Sequence, residues 1–536
     1  MADENCAEPL TTQKRHCHYD DVFKHIRSFG RVQILLYLSM SFLVTLMAMQ
    51  YGLLVFAMGP PRFYCADVNS TCPEDNVCCA NCTTYAYEEG QFTSTVTEWD
   101  LLCDRAYLAA TIQSCYFAGM FFGAITGGWL SDNFGRKPTM FIGVGVMALV
   151  SLGSSFSDAI SLLSLLRFVI GFFQMVLNVT YFVYAIEILG PKYRTLGGQL
   201  CSLFWLFGYS TTAVFAFFIR DWRMLIVAVS IPGLLFVLLW KIFPASPRWL
   251  IAHNRLDEAH SILLKFGSRD SKPIDEQALR ELIEDVRRDQ LERHKMDDKR
   301  YTMMDLVRTP KLRKRSFILF YTWVVCAIVH FGFFLYVTSL TGNLYSNYVI
   351  MNVITFPKAL GFIYVMNKVL SKSSVISVRV TGESSVTTES VLGKSSVTTE
   401  IFAMLGKSFM SAQFLNAFLY GTELFPTVVR LVTSNAIGCG TMTSRLGGML
   451  TPYIAMLGQL PNYGVYVPAT IFGVLTLVGA IMSLWLPETL FAKLSQTVEE
   501  AEAAKEDFSI ICWGHHKRRK REAEDLGDDY IKDTEI

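Results

Sequence analysis

The sequence predicts an all-α integral membrane protein built from two helical bundles. Its low charge, the one-sided placement of its basic residues and an internal repetition of motifs predict this. Only 18% of the 536 residues are charged, 51% are hydrophobic and the mean hydropathy is +0.32. Soluble domains carry roughly a quarter charged residues. The composition therefore excludes an ordinary cytosolic enzyme, a disordered chain and a secreted disulfide scaffold. The 39 Phe and 36 Gly suit helices packed in lipid, where glycine lets backbones approach.

A helix needs about 20 apolar residues to cross the hydrocarbon core. Such runs are expected near 33–58, 106–130, 138–157, 160–189, 196–219 and 222–243, forming an N-terminal bundle over 33–243. Five more follow near 316–340, 345–370, 401–425, 431–458 and 463–487, forming a C-terminal bundle over 316–487. No signal peptide is expected, because Lys24, Arg27 and Arg31 precede a run too long for one. The pattern gives 11 clear spans.

Positive charge marks the cytosolic side. Residues 1–32 carry five Lys or Arg, and the loop 244–315 is basic, with 17 basic and 13 acidic residues over 248–315. Arg136-Lys137, Lys192 and Arg194 fall on the same side. The tail 488–536, with Lys517 to Arg521, is expected there too, so both termini are cytosolic. The charged stretch 274–300 reads as a surface helix on the cytosolic loop. The loop 59–105 has two basic and eight acidic residues and faces outside. It holds Cys65, Cys72, Cys78, Cys79, Cys82 and Cys103, which read as three disulfides in any of about 15 connectivities. A zinc cluster is the alternative, but the loop has no His. Asn69 and Asn81 head glycosylation sequons in the same loop.

The two halves echo each other, as in transporters built from repeats around a midplane site. Glu187 and Arg194 close the fourth run; Glu423 and Arg430, with the same spacing, close that at 401–425. A partner for Gly128-Trp-Leu-Ser-Asp132-Asn-Phe-Gly135-Arg136-Lys137 is expected near 370. Instead 371–400 is a polar tandem repeat in which Ser-Ser-Val recurs from 373, 384 and 395. The ninth span of a twelve-span pattern is therefore read as replaced, by a translated repeat or a faulty gene model, or by a re-entrant segment.

The Gly128–Lys137 string resembles the signature of the major facilitator superfamily. Phe218 to Met224, Ser246-Pro-Arg-Trp-Leu250, Thr341 to Asn347 and Glu423 to Arg430 resemble the organic ion transporter family, which holds organic cation, organic anion and carnitine transporters. The resemblance covers about 20–490 apart from 371–400, and is closest to the carnitine type. It implies a major facilitator fold of two six-helix bundles, alternating access, and gating roles for Asp132, Arg136, Glu187, Arg194, Glu423 and Arg430. Ala245 replaces a Glu usual in the family, and His330-Phe331 a common Tyr-Tyr pair.

Charges inside a span are costly and face a partner or an aqueous path. Arg445 lies well within the 431–458 run and can clasp a carboxylate with its planar fork. The resemblance associates a basic residue there with anion and carnitine transporters. Lys358 is the second such cation. Gln174 and Asn178, one turn apart, offer hydrogen bonds, and Tyr51, Tyr181, Trp205, Trp323, Phe334 and Tyr336 offer cation–π faces. No nucleotide loop or paired metal ligands occur, so neither an enzyme nor a cofactor is expected. The expected function is plasma-membrane transport of small organic ions, tilted to carboxylate-bearing or zwitterionic solutes such as carnitine. The alternatives are a polyspecific cation carrier and a transport-incompetent chain. Expected partners are the substrate, a co-transported or exchanged ion and the bilayer, and no nucleic acid.

Overall fold

The computed structural model describes residues 19–67, 78, 79, 82, 84–88, 90–267, 275–296, 305–340, 342–354, 434–460 and 466–487, with separate positions between 404 and 425 and residues 502–503. The helices used below are α1 (Arg31–Phe56), α2 (Ala106–Phe134), α3 (Arg136–Ser154), α4 (Ile160–Ile188), α5 (Pro191–Phe218) and α6 (Trp222–Val237). Then come α7 (Pro247–Ala252), α8 (Leu256–Gly267), α9 (Glu276–Met296), α10 (Pro310–Tyr336), α11 (Leu344–Val353), α12 (Ser434–Met456) and α13 (Tyr466–Ser483).

Local chemistry sets many of the helix starts. Pro191 and Pro310 occupy first-turn positions, where a missing N–H costs nothing. Asp221 accepts from the Met224 N–H, Ser246 from Trp249, and Asn343 from Tyr345 and Ser346, each capping a helix N-terminus. Among the described residues, seven helices are long and apolar enough to cross a membrane. They are α1, α2 with its short lead-in, α3, α4, α5, α6 with its short extension, and α10. These are the first seven spans expected, shifted by a few residues. Of the run 345–370 only the start, α11, is described, and helical backbone recurs at separate positions from 404 to 424. Helices α12 and α13 fall on the last two runs. The repeat 371–400, on which the missing ninth span rests, lies outside the described residues.

The chain divides into two compact units, Met1–Ala57 with Ala118–Arg300, and Met58–Phe117 with Tyr301–Ile536. In the first, α3 packs against α4 and α6, and α1 against α5. Gly119, Gly123 and Gly127 line the face of α2 that meets α4. A Cβ on Gly119 would stand 1.9 Å from the Phe168 carbonyl oxygen, and one on Gly123 2.3 Å from that of Phe172. Only glycine permits this backbone contact, as expected for helices in lipid. Gly135 turns the chain from α2 into α3 at φ +90°, which a side chain would strain. The helix α9 is not charged all round: Leu279, Leu282, Ile283 and Val286 form a buried stripe at helical spacing.

In the second unit α10 packs against α12 and α13. Trp323, one of the aromatics singled out above, is buried with Leu312, Ile318, Leu319, Leu424 and Leu486. The loop 59–105 contributes an antiparallel pair, Phe63–Cys65 with Tyr85–Tyr87. Disulfides join Cys65 to Cys82 and Cys78 to Cys103, closing loops of 17 and 25 residues, each a constraint of about 3 kcal/mol on the unfolded chain. Cys79 is also disulfide-bonded; Cys72, Asn69 and Asn81 lie outside the described residues. The loop is tied to its own unit by Arg62 donating to the Gly342 carbonyl and the Cys78 N–H to the Gln459 carbonyl. Thr111 and Ser114, at the start of α2, bond Tyr453 and the Met449 carbonyl of α12. Burial, with the Asp100 charge adding to it, pushes the Tyr87 phenol in this loop up to about 12.

The glycine face gives a direct test. Gly119→Leu should lower stability by about 1–3 kcal/mol or more, because the Phe168 backbone cannot repack. Gly128→Ala, with nothing within 4 Å of the added carbon, should leave the melting temperature of the purified protein unchanged.

Candidate functional site

The first unit gathers at one end the residues that the sequence marks as gate candidates, Asp132, Arg136, Glu187 and Arg194. Arg136 is the first residue of α3, and Glu187 lies in the last turn of α4. A helix dipole disfavours a cation at an N-terminus and an anion at a C-terminus. Each ion is therefore poorly placed alone and is stabilised by the other. Arg136 clasps Glu187 with two bonds, Nε to Oε2 and Nη2 to Oε1, both 3.0 Å. The side chains are 10% and 5% exposed. Asp132, one turn back on α2, lies 3.0 Å from Arg136 Nη2 and is open to solvent.

Surrounding groups complete the cluster. Ser246 donates to Glu187 Oε2 at 2.6 Å while capping α7, so the residue beside Ala245 supplies a contact to the network. Trp249 donates its indole N–H to the Asp132 carbonyl at 2.7 Å. The Tyr19 hydroxyl donates to the Glu187 carbonyl. Burial, then the Glu187 charge, pushes that phenol above its ordinary range and keeps it protonated. Arg194 does not take Glu187 as its carboxylate. It grips Asp20 with bonds of 2.9 and 2.6 Å and donates to the Ile186 carbonyl. The seven-residue spacing seen in the sequence thus reports two neighbouring ion pairs, not one. Glu423 and Arg430 lie outside the described residues.

Among the described residues of the second unit, Arg315, Lys407 and Arg445 are buried cations, and the last two lie beside aromatic rings. Arg445 of α12 is 7% exposed, its guanidinium 6.0 Å from the ring centre of Phe331 on α10. Phe331 stands where the resemblance expects the second Tyr of a pair, and its ring meets Phe117 edge-on at 4.8 Å. The second cation is Lys407, 2% exposed, which sequence reading missed. It donates to Asn352 Oδ1 at 2.9 Å and lies 5.2 Å from the Phe334 ring centre. The signal was there: a Lys inside the apolar run 401–425. Lys358, chosen instead, lies outside the described residues.

The remaining predicted residues separate by unit. In the first, Tyr51 is buried, bonds the Met120 sulfur, and stands 5.7 Å from Trp205, which in turn is 6.0 Å from Tyr209. Tyr181 is buried there as well. Gln174 is buried and donates to the Met47 carbonyl of α1 at 2.9 Å, tying two helices. Asn178, one turn on, is half-buried. In the second, Phe334 meets Tyr348 edge-on at 5.6 Å, and Tyr336 is buried at the end of α10.

Against this geometry, a family model described as "Sugar (and other) transporter" matches residues 76–501. The chain is 30% identical to the organic cation transporter protein of Drosophila melanogaster, over 90% of this chain and 94% of that one. It is 30% identical to organic cation/carnitine transporter 2 of Homo sapiens, over 78% and 73% of the two chains. Its fold is similar to the inward-open xylose transporter XylE from E. coli, with a TM-score of 0.62 at 15% identity, covering 88% and 99%.

The gate cluster makes its own prediction. Glu187→Gln leaves Arg136 buried beside a neutral partner, which costs about 3–5 kcal/mol in comparable pairs. Ser246→Ala removes one bond to a charged group, about 1.5–3 kcal/mol. Thermal unfolding should rank Glu187→Gln below Ser246→Ala below the parent, and equal melting points would show that the cluster is not a restraint.

Proposed function

Because the chain belongs to the sugar (and other) transporter family, has the major facilitator fold and is a membrane-spanning transporter rather than an enzyme, we propose that it carries small organic ions with a carboxylate group, zwitterions such as carnitine among them. The observation that supports this is the burial of Lys407 and Arg445 in one helical unit, each beside an aromatic ring on α10. A guanidinium binds a carboxylate through two parallel bonds, and an ammonium adds a point charge. Phe331 and Phe334 supply faces for a quaternary ammonium group. The relatives whose names print organic cation and carnitine transport fit this chemistry.

The mechanism in this reading is alternating access, which the major facilitator fold supports. The Arg136–Glu187 cluster is the inner-gate restraint of the first unit in this proposal, and Glu423 with Arg430 its counterpart in the second half. The charge pattern supports a plasma-membrane location with both termini cytosolic and the disulfide loop outside. The ring cluster of Tyr51, Trp205 and Tyr209 favours a second reading, a polyspecific cation carrier that binds through aromatic faces alone.

Uptake assays separate the two readings. Arg445→Asp should abolish carnitine uptake at normal surface delivery, because an Asp repels the carboxylate that Arg attracts. Uptake of a simple organic cation should survive or rise. Arg445→Lys should retain part of the activity, since an ammonium lacks the planar fork. Unchanged carnitine uptake in Arg445→Asp would leave Arg445 structural and favour the aromatic carrier. The topology is checked separately: glycosidase treatment of surface protein should shift its gel mobility through Asn69 and Asn81, and no shift would place 59–105 wrongly.

A further inference from the structure

The chain before α1 reaches the gate cluster at two successive residues. Tyr19 is buried, and its hydroxyl donates to the Glu187 carbonyl at 3.1 Å. Asp20 accepts two bonds from Arg194, of 2.9 and 2.6 Å. The last carbonyls of a helix have no partner within it. At the end of α4 three in a row are taken from outside: Ile186 by Arg194 Nε, Glu187 by Tyr19, and Ile188 by the Gln33 amide of α1. Further along, the Ser28 carbonyl accepts from the Gly190 N–H at 2.9 Å, and the Phe29 ring stacks on Tyr193 at 5.3 Å. A Cβ on Gly190 would collide with Ser28, so only glycine allows this approach. The helical turn Val22–His25 also packs against α9. Arg194 repeats the predicament of Arg136, a cation in the first turn of a helix. Glu187 answers one and Asp20 the other.

We propose that residues 19–30 are part of the gate, with Tyr19 and Asp20 as its positioning residues, so that the junction of α4 and α5 is fixed only while this segment is docked. The inference rests on the gate reading of Arg136 and Glu187 above. Ala245, beside Ser246, offers no carboxylate to the cluster, and Asp20 brings one from the start of the chain. The contacts run without a break from Asp20 to Arg194, Arg194 to the end of α4, Glu187 to Arg136 and Arg136 to Asp132. The two pairs differ in exposure. Arg136 and Glu187 are nearly buried, and parting them leaves charge in a dry site. Asp20 and Arg194 are 43% and 23% exposed, so water solvates each when they part. The outer pair is therefore the one that opens at small cost. Tyr19 adjoins Asp20, so release of the segment also uncaps α4 at Glu187. Docking and the buried clasp thus form and break together, as a discrete gate requires.

The test uses the full chain, purified in detergent for proteolysis and in proteoliposomes for uptake. Carnitine and tetraethylammonium are the probes, one for each substrate reading, and the one that the parent carries is used throughout. Trypsin reports docking: the Lys24 side chain is exposed but sits in a helical turn, and cutting there needs the segment to open. Mass spectrometry of the peptide ending at Lys24 reads the rate. Saturating probe should speed the cut roughly twofold or more, since a transported solute shifts the gate between its states. Asp20→Asn should speed the cut with no probe present. It should lower the maximal uptake rate roughly fivefold, the upper end for a part-exposed pair, and leave probe binding to the purified protein unchanged. Adding Arg194→Asp to Asp20→Arg should recover most of the rate that Asp20→Arg alone loses, which a merely structural loss would not do. Gly190→Ala keeps every charge, pushes Ser28 away and should act as Asp20→Asn does; it decides the matter if Asp20→Asn does not fold. Parent-like uptake in Asp20→Asn, or a cut at Lys24 that ignores the probe, would overturn the inference and leave the Arg136–Glu187 gate standing. Parent-like uptake in Glu187→Gln would overturn the gate reading itself, and this inference with it.

Discussion

The junction of α2, α3 and α4 in the first unit depends on one interaction, the two-bond clasp of Glu187 by Arg136. Both ions sit at the wrong end of their helices for the backbone dipole, and both are nearly buried. Neither is stable there without the other. Three further parts of the chain lock onto the pair: α7 through Ser246, the N-terminal segment through Tyr19, and the loop turned by Gly135 through Asp132. A restraint of this kind stores little net stability, because desolvation offsets much of the attraction. What it supplies is a discrete arrangement that is either made or broken, which a two-state machine requires.

The second unit puts charge to a different use. Lys407 and Arg445 are held deep among rings and amides, with Asn352, Phe331 and Phe334 around them. Cations buried beside aromatic faces are poised for an anionic group, and the same faces suit a quaternary ammonium. A zwitterion presents both, and in the proposed function Phe331 and Phe334 of α10 meet the two requirements side by side. The outer loop belongs to the same unit, tied to it at Gly342 and Gln459 and closed on itself by disulfides.

Hydropathy made the spans from α1 to α6 and α10 legible, because lipid imposes length and apolarity on any helix that crosses it. Partners were not. The regular spacing of Glu187 and Arg194 marked both as gate candidates but not their partners, and Arg136 and Asp20, distant in sequence, are the groups each meets. Only tertiary packing decides such choices. Trp323 and Gln174 were chosen by residue type alone, and the sequence could not show that the ring lies in a buried cluster or that the amide bonds the Met47 carbonyl. Lys407 was hidden by the apolarity around it: a count that asks whether a run is hydrophobic enough passes over the one residue that makes it unusual.

The facing pairs His330 with Ser411 and Phe334 with Lys407 are spaced by the same helical turn. Two scales of equal pitch read against each other make a vernier. A slide of part of a turn would unseat both pairs at once, and only a full turn of about 5.4 Å would bring α10 side chains back opposite the same face. The interface therefore has a detent. Two pairs at equal pitch thus resist small shear together, where either alone could re-form after a slight slide.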